Sequence, residues 1–453
     1  MILFKGIKLV WVNNMKEKLG KKVRSGAPAE ERMDLCKPMI YQAPILMKTL
    51  AWPIANARKL ISHSHITKIN MEGLKAPFIL VCNHNAFYDF YIMVAATKPY
   101  TGVYPAAVDD FIGREWFLRM GGCLPKRKYT SDLNTVRQCM RAVKDGECYG
   151  IFAEARYSLC GVTEQDAVTD AVGQLVKLMG VPCVTFTSKG HHIYDPFWGN
   201  HKSRRMKRTE AVIEQIFTAE EVKNATVDEI NAKIREHIYN DDWRWQSENR
   251  VKVTYKKRAE GLHKPLYQCP HCMTEYKMNS KGAVIYCEHC KKSWYLNEYG
   301  ELEADCGETE FRYPSDWYKW EKEQVEKEVR EDRYHFECDC HVNDLPNSKG
   351  FVRMGRGRLT HSMDGFRLEG IRDYDGEPFS MEIDSAIQNS VHVEYNYRYG
   401  NGLDCIDLNT LKETWYVFPE NCDFSVTKIT FATEAIFKEV WRRKKEEKEK
   451  TKK

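Results

Sequence analysis

The stretch Asn83-His84-Asn85-Ala86-Phe87-Tyr88-Asp89 sets an imidazole and a carboxylate five residues apart, directly after the apolar run at 78–82 (FILVC). Inside one helix the two side chains would sit about 140° apart, at roughly 100° per residue, and could not meet. His84 is therefore expected in a strand-to-helix loop, with Asp89 rising from the second turn of the helix that follows. A carboxylate so placed accepts the imidazole N–H, fixes the tautomer and leaves the other ring nitrogen free to act as a base. The plain alternative is a loop histidine near a helix-surface aspartate. A second constellation is Cys269-Pro270-His271-Cys272 with Cys287-Glu288-His289-Cys290, two Cys-x2-Cys knuckles separated by fourteen residues. Four thiolates at that spacing form the tetrahedron of a zinc ribbon. Zinc is the expected metal, and iron in a rubredoxin-like site is its competitor. A closed four-ligand site has no open coordination position, so its expected role is in folding, with His271 and His289 as exposed knuckle residues.

Three further segments follow His84 in order: Gly121-Gly122-Cys123-Leu124-Pro125-Lys126-Arg127, then Ile151-Phe152-Ala153-Glu154-Ala155-Arg156-Tyr157-Ser158, then Gly180-Val181-Pro182-Cys183-Val184. With the His84 to Asp89 stretch they resemble the four motif blocks of the glycerophospholipid acyltransferases, the lysophosphatidic acid acyltransferase family. That pattern is a His-x4-Asp block, a block ending in Arg, a Phe-Pro-Glu-Gly-Thr-Arg-Ser block and a Val-Pro block. The resemblance covers residues 65 to about 215. It implies a mixed sheet wrapped by helices, and transfer of a fatty acyl group from the thioester of acyl-CoA or acyl-ACP (acyl carrier protein) to a hydroxyl. The implied acceptor is a lysophospholipid, foremost 1-acyl-sn-glycerol-3-phosphate, in phospholipid biosynthesis. By matching positions, the resemblance makes His84 the general base and Asp89 its orienting partner. It also places Arg127, Glu154, Arg156 and Ser158 around the acceptor head group, and gives Pro182 a shaping role in the cleft.

The chemistry of these assignments is sound on its own terms. A hydroxyl is too weak an acid to attack a thioester readily, and a positioned imidazole with a pKa near about 6.5 contributes roughly 10²- to 10⁴-fold by taking the proton. A phosphate on the acceptor asks for cationic forks, which Arg127 and Arg156 could supply, while Glu154 could bind a glycerol hydroxyl or hold one arginine. The alternative for these three is a structural ion pair at a strand end. Two positions depart from the family pattern, Ala153 standing where it has Pro and Ala155 where it has Gly. A backbone relying on positive φ there would cost about 1–2 kcal/mol.

The elements that must position these residues read as α/β. Leu133, Val136, Cys139, Met140 and Val143 recur at helical spacing ahead of a strand at 149–152. The cycle repeats with Val168, Val172, Leu175 and Met179, Gly180 as C-terminal cap, and a strand at 181–186. Thr226-x-x-Glu229 is a capping-box pattern opening a helix with Val227, Ile230, Ile234 and Ile238 on one face. Ser315 is expected to cap a charged helix bearing Trp317, Trp320, Val325 and Val329. Beyond 336 the alternation of Val391, Val393, Tyr395, Tyr397 and Tyr399, the turn Gly400-Asn401-Gly402 and the return at Leu403, Cys405 and Ile406 predict a hairpin. A last helix carrying Ile436, Phe437, Val440 and Trp441 runs into a charged tail expected to fray. The expected organisation is an interfacial helical region at 1–64, an acyltransferase domain at 65–250, a zinc ribbon at 265–305, a linker helix at 314–333 and a β-rich domain of the pleckstrin-homology kind at 336–445.

Composition bounds the partners. The chain has 453 residues, 69 Lys plus Arg against 64 Asp plus Glu, and 43% hydrophobic residues, so disordered, collagenous and polytopic membrane classes are excluded. A net charge of +5 does not demand nucleic acid, and no nucleic-acid partner is expected. The start, MILFKGIKLVWV, carries Lys5 and Lys8 and no small-residue cleavage site, so it does not read as a secretory signal. Sixteen scattered cysteines then read as reduced thiols and metal ligands. The segment 38–57 (PMIYQAPILMKTLAWPIANA) holds Lys48, Pro44 and Pro53, which favours lying on a surface over spanning a bilayer. Lys202-Ser203-Arg204-Arg205-Met206-Lys207-Arg208 could add attraction to anionic lipid. The expected location is the cytoplasm, peripherally associated with the cytoplasmic face of a membrane. The rivals to the enzyme are a lipid-binding protein on a decayed acyltransferase scaffold, and a ribbon-based interaction module. The ribbon offers only Lys277, Lys281, Lys291 and Lys292 for phosphate contact.

Overall fold

Seven strands, β1 (Ser64–Ile69), β2 (Ile79–Cys82), β3 (Gly102–Ala107), β4 (Cys123–Lys126), β5 (Cys148–Phe152), β6 (Cys183–Lys189) and β7 (Thr209–Phe217), assemble in the order β1-β7-β6-β2-β5-β3-β4. The strands from β6 to β4 are mutually parallel, and β7 and β1 run against them. The structure is a computed structural model that describes residues 23–24, 31–130, 132–199 and 208–451. The segment 1–12 and the basic residues 202–207 lie outside the described residues.

Strand β2 is buried along its whole length, and its period of two divides the core. Leu80 and Cys82 join the cluster holding Trp52, Ala55, Ile92 and Met93, from the helices Trp52–Ser62 and Asp89–Thr97. Ile79 and Val81 join Cys139, Ala142, Val172, Val176, Ile230 and Ile234, from the helices Leu133–Lys144, Ala171–Met179 and Val227–Ile238. The Thr226 capping box forms reciprocally with Glu229. Gly180 adopts φ +63° at the end of its helix. That helix starts at Ala171, so Val168 packs from the turn before it, and β6 starts at Cys183 rather than at 181. Gly122 sits at φ +79°, where a Cβ would lie 2.5 Å from the Gly102 carbonyl oxygen, so the second block needs glycine to let the chain cross β3.

Residues 44–62 form a helical rod that is π-wound over Met47–Ala51. Met47, Trp52, Ala55 and Ser62 face inward, and Ile45, Leu50, Ile54 and Leu60 are exposed. Among the described residues no helix is long and apolar enough to cross a membrane.

The cysteine module is a four-stranded antiparallel sheet of β8 (Met278–Lys281), β9 (Val284–Cys287), β10 (Ser293–Leu296) and β11 (Leu302–Ala304), seated on the helix Pro314–Arg330 through Trp294 against Trp317. The last part is a second seven-stranded sheet: β12 (Phe336–Asn347), β13 (Gly350–Ser362), β14 (Gly365–Arg372), β15 (Pro378–Asp384), β16 (His392–Tyr397), β17 (Leu403–Asn409) and β18 (Thr414–Glu420). Its order is β15-β14-β13-β12-β18-β17-β16, antiparallel throughout, with the β16–β17 hairpin at the expected place. The helix Val426–Thr451 closes it.

Two expectations need correcting here. Ser315 is not a cap: Pro314 at the first helical position moves the start forward to Tyr313, and the Ser315 hydroxyl donates instead to Asp241 Oδ2 at 2.7 Å. The C-terminal tail does not fray at its start. Glu439, Arg442, Arg443 and Glu446 form ion pairs three and four residues apart that carry the helix on to Thr451.

Candidate active site

Because β2, β5 and β6 are parallel neighbours with Cys82 level with both Phe152 and Phe186, the chain leaves all three strands at the same end of the sheet. That end is where parallel sheets present their loops to ligands. His84, the Glu154 to Ser158 turn and His191 emerge there. His84 lies in the loop, as its spacing required. Asp89 is the first residue of its helix rather than part of a second turn. His84 Nδ1 donates to Asp89 Oδ2 at 3.1 Å, and the same oxygen accepts the backbone N–H groups of Asn85 at 2.6 Å and Ala86 at 2.9 Å. Oδ1 accepts from His191 Nδ1 at 2.5 Å. Asp89 is fully buried, which by itself would raise its pKa. The hydrogen bonds and positive potential of His191 and His84 outweigh burial and hold the carboxyl well below the ordinary carboxylate range. An ionised Asp89 places the His84 proton on Nδ1 and leaves Nε2 as the basic nitrogen.

The His84 ring is clamped between Phe152, stacked at 3.9 Å between centroids, and Tyr157 at 4.2 Å. Its backbone is held too. Glu154 Oε2 accepts the His84 N–H at 3.3 Å, and the Ser158 N–H donates to the His84 carbonyl at 2.7 Å. Glu154 Oε1 accepts the Glu164 N–H, and the Ser158 hydroxyl donates to the Val162 carbonyl. Glu154 and Ser158 are therefore committed to shaping the His84 loop, and both are buried. Burial pushes the Glu154 carboxyl up to about 8 against the two N–H donors and Arg156, which favour its ionised form. Ala155 sits at φ +54° with its side chain exposed, the strained geometry that an alanine at a glycine position implies. Ala155→Gly relieves that strain at some cost in unfolded-chain entropy, and a net gain of about 0.5–1 kcal/mol in stability is expected by urea denaturation. An unchanged or lower midpoint would show that the turn is not strained.

Residues 62–189 match the acyltransferase family model. That match spans the first, second, third and fourth blocks together. Among solved structures, the 1-acyl-sn-glycerophosphate (LPA) acyltransferase PlsC from Thermotoga maritima is similar at 14% identity over 43% of this chain and 78% of that one, with a TM-score of 0.35. No curated protein matches the chain significantly.

The remaining block residues do not gather around His84 as freely as the motif order implies. Arg156 is buried and makes an ion pair with Glu434 of the C-terminal helix at 2.9 Å and a hydrogen bond to Ser390 Oγ at 3.3 Å. Arg127, also buried, directs Nη1 to the Leu411 carbonyl at 3.4 Å. Both block arginines thus face the C-terminal sheet and helix, as do Tyr157 and Phe197, whose rings lead on to His392 and Tyr395. Pro182 lies elsewhere. Its carbonyl accepts the Ile79 N–H at the start of β2, about 15–20 Å along the strand direction from the loop that carries His84. Pro182 therefore stands at the far end of β2 and β6 from His84, and a part in the acyl-donor or substrate cleft would have to be played from there.

Sequence reasoning missed His191 and Asp242. Asp242 accepts the N–H groups of Gly190 and His192 at 2.7 Å each, fixing the turn that aims His191 at Asp89, and burial raises its carboxyl to about 7. The available signal was the His191-His192 pair just past Gly190 at the end of a strand, which the parallel topology delivers to the same sheet end as His84.

The four cysteines converge. Their sulfurs lie within 4.8 Å of one another, with Cys269 to Cys290 at 3.7 Å and Cys272 to Cys287 at 3.8 Å. A tetrahedron of thiolates at about 2.3 Å from zinc has edges near 3.8 Å, so the donor set and spacing fit a metal of that kind. His271 and His289 are exposed.

Proposed function

We propose that this protein is an O-acyltransferase that moves a fatty acyl group from acyl-CoA or acyl-ACP to the hydroxyl of a lysophospholipid, foremost 1-acyl-sn-glycerol-3-phosphate. The observation that carries the reading is the buried Asp89 bonded to a His84 whose side chain alone of the pair keeps exposed surface, 14% against 0%. That arrangement offers a base to an incoming molecule and hides its partner. His84 Nε2 takes the acceptor's hydroxyl proton as the oxygen attacks the thioester carbon. The C–O bond forms, the C–S bond breaks, and the imidazolium returns the proton to the departing thiolate. No covalent acyl-enzyme is required. Phosphate recognition at Arg156 requires the acceptor anion to exchange with Glu434.

The surroundings support a lipid substrate. Ile45, Leu50, Ile54 and Leu60 on the 44–62 rod, together with Trp116, Phe117 and Met120, are exposed apolar groups suited to peripheral contact with a cytoplasmic membrane face. We read the β-rich 336–445 region, four strands then three and a closing helix, as a domain of the pleckstrin-homology kind, and assign structural zinc to the four-cysteine centre.

The test is an assay of acyl-CoA and acyl-ACP donors against lysophosphatidic acid and other lysolipids with wild type and His84→Ala. A loss of about 10²- to 10⁴-fold is expected in the variant. Equal product from both proteins removes His84 from its role. No product with any pair favours a non-enzymatic lipid-binding protein.

A further inference from the structure

The two oxygens of Asp89 are served very differently. Oδ2 receives His84 Nδ1 and two backbone N–H groups, whereas the donor on Oδ1 is His191 Nδ1, 102 residues away in sequence. In a fully buried carboxylate, an oxygen stripped of its donor forfeits hydration with nothing in return, and the penalty is largest for a charged group. The carboxylate relieves such a loss by rotating or by taking up a proton. Either change withdraws the full negative charge that His84 Nδ1–H needs opposite it.

We propose that His191 is a positioning residue for His84: its Nδ1–H pins Asp89 Oδ1, so that Oδ2 stays ionised and aimed at the His84 ring. The proposal rests on the reading of His84 as the base. Three features show that His191 is itself held for this task. Its ring is fully buried and stacks on Tyr88 at 4.5 Å between centroids and 19° between planes. Its backbone turn is clasped on both sides by the Asp242 carboxylate through the N–H groups of Gly190 and His192. Gly190, at φ +75°, lets the chain turn sharply from β6 into that clasp. His191 is not a second base, because Nδ1 is committed to Asp89 and Nε2 is buried without a hydrogen-bond partner among the described residues. The order of support therefore runs from Asp242 through the His191 turn to Asp89 and then to His84.

Two substitutions separate positioning from packing. His191→Asn keeps an N–H donor near the place of Nδ1, and His191→Phe keeps the ring and removes the donor. With the donor and acceptor that wild type uses, His191→Phe is expected to lower kcat by about 10- to 100-fold with KM within about twofold, and His191→Asn to recover most of the loss. Independently of turnover, ¹⁵N-histidine NMR of the full chain, with the His84 resonance assigned from His84→Gln, is expected to show the Nδ1–H tautomer in wild type and in His191→Asn, and its loss in His191→Phe. Wild-type kcat in His191→Phe, or a His84 tautomer unchanged in that variant, overturns the proposal. If wild type transfers no acyl group, the catalytic reading fails by itself, and the tautomer comparison still decides whether His191 holds the Asp89–His84 pair.

Discussion

Stripping the metal from the cysteine centre is expected to unfold residues 265–305 and to loosen the helix beneath them. The four strands of that module are three or four residues long, and besides the cysteines its buried apolar side chains are Leu266, Tyr267, Met278, Ile285, Trp294, Leu296 and Leu302. A core of that size does not offset the ordering entropy of forty residues. Binding of zinc by four thiolates contributes about 10–16 kcal/mol at neutral pH in comparable modules, so a metal held there would be the main source of local stability. The loss spreads because the module is keyed into the helix Pro314–Arg330. The Gln268 N–H donates to Glu321 Oε1 at 2.7 Å, and the Trp317 indole N–H donates to the Gln268 carbonyl at 2.9 Å. Metal analysis should give one equivalent of zinc per chain. Chelation, or Cys272→Ser, should expose the 265–305 segment to protease and lower the first thermal transition. Replacement by cobalt(II) should leave acyl transfer unchanged, since a closed four-sulfur site has no position for substrate. An unaltered transition in metal-free protein would exclude the folding role, and stoichiometric iron would reassign the metal.

How far the site was legible depends on how local each contact is. The His84–Asp89 pair could be read because five residues of loop geometry nearly determine it, and the four cysteines because each knuckle is built within four residues. The strain at Ala155 was legible as well, since a missing glycine in a turn has one conformational consequence. His191 was not, because only the parallel pairing of β2 with β6 brings it to Asp89, and strand order is a property of the whole chain. The charged tail misled for a related reason. Its composition looks solvated, yet the spacing of Glu439, Arg442, Arg443 and Glu446 is what an exposed helix uses to stabilise itself. Arg156 shows the limit most clearly. A cation at a strand end is equally suited to a phosphate or to a protein carboxylate, and the sequence does not say which anion 278 residues downstream will arrive.

That anion is Glu434, and breaking its pair is expected to be costly and unequal on the two sides. Both side chains are at most 2% exposed. Burial works against the Glu434 charge, and Arg156 and Lys322 more than offset it, holding the carboxyl below its ordinary range. Removing one partner of a buried pair costs about 3–5 kcal/mol because the other charge is left in the interior. After Arg156→Leu, however, Glu434 keeps Lys322 Nζ at 3.4 Å and the Ser390 hydroxyl at 2.8 Å. After Glu434→Leu, Arg156 keeps only the 3.3 Å contact with Ser390 as a side-chain partner among those described, while Lys322 retains Glu164 and Asp166. Glu434→Leu should therefore sit at the upper end of that range and Arg156→Leu at or below the lower end. The double variant should recover most of the loss, since two apolar groups remove the desolvation problem altogether. Urea denaturation of the four proteins measures this directly. Single losses below about 0.5 kcal/mol, or a double loss equal to the sum of the two, would show that the pair is not closed off from water. The asymmetry has a mechanistic consequence: Arg156 is the group that gains most from a new anion when Glu434 is withdrawn, so Glu434→Gln should lower the KM for a phosphate-bearing acceptor without affecting one that lacks phosphate.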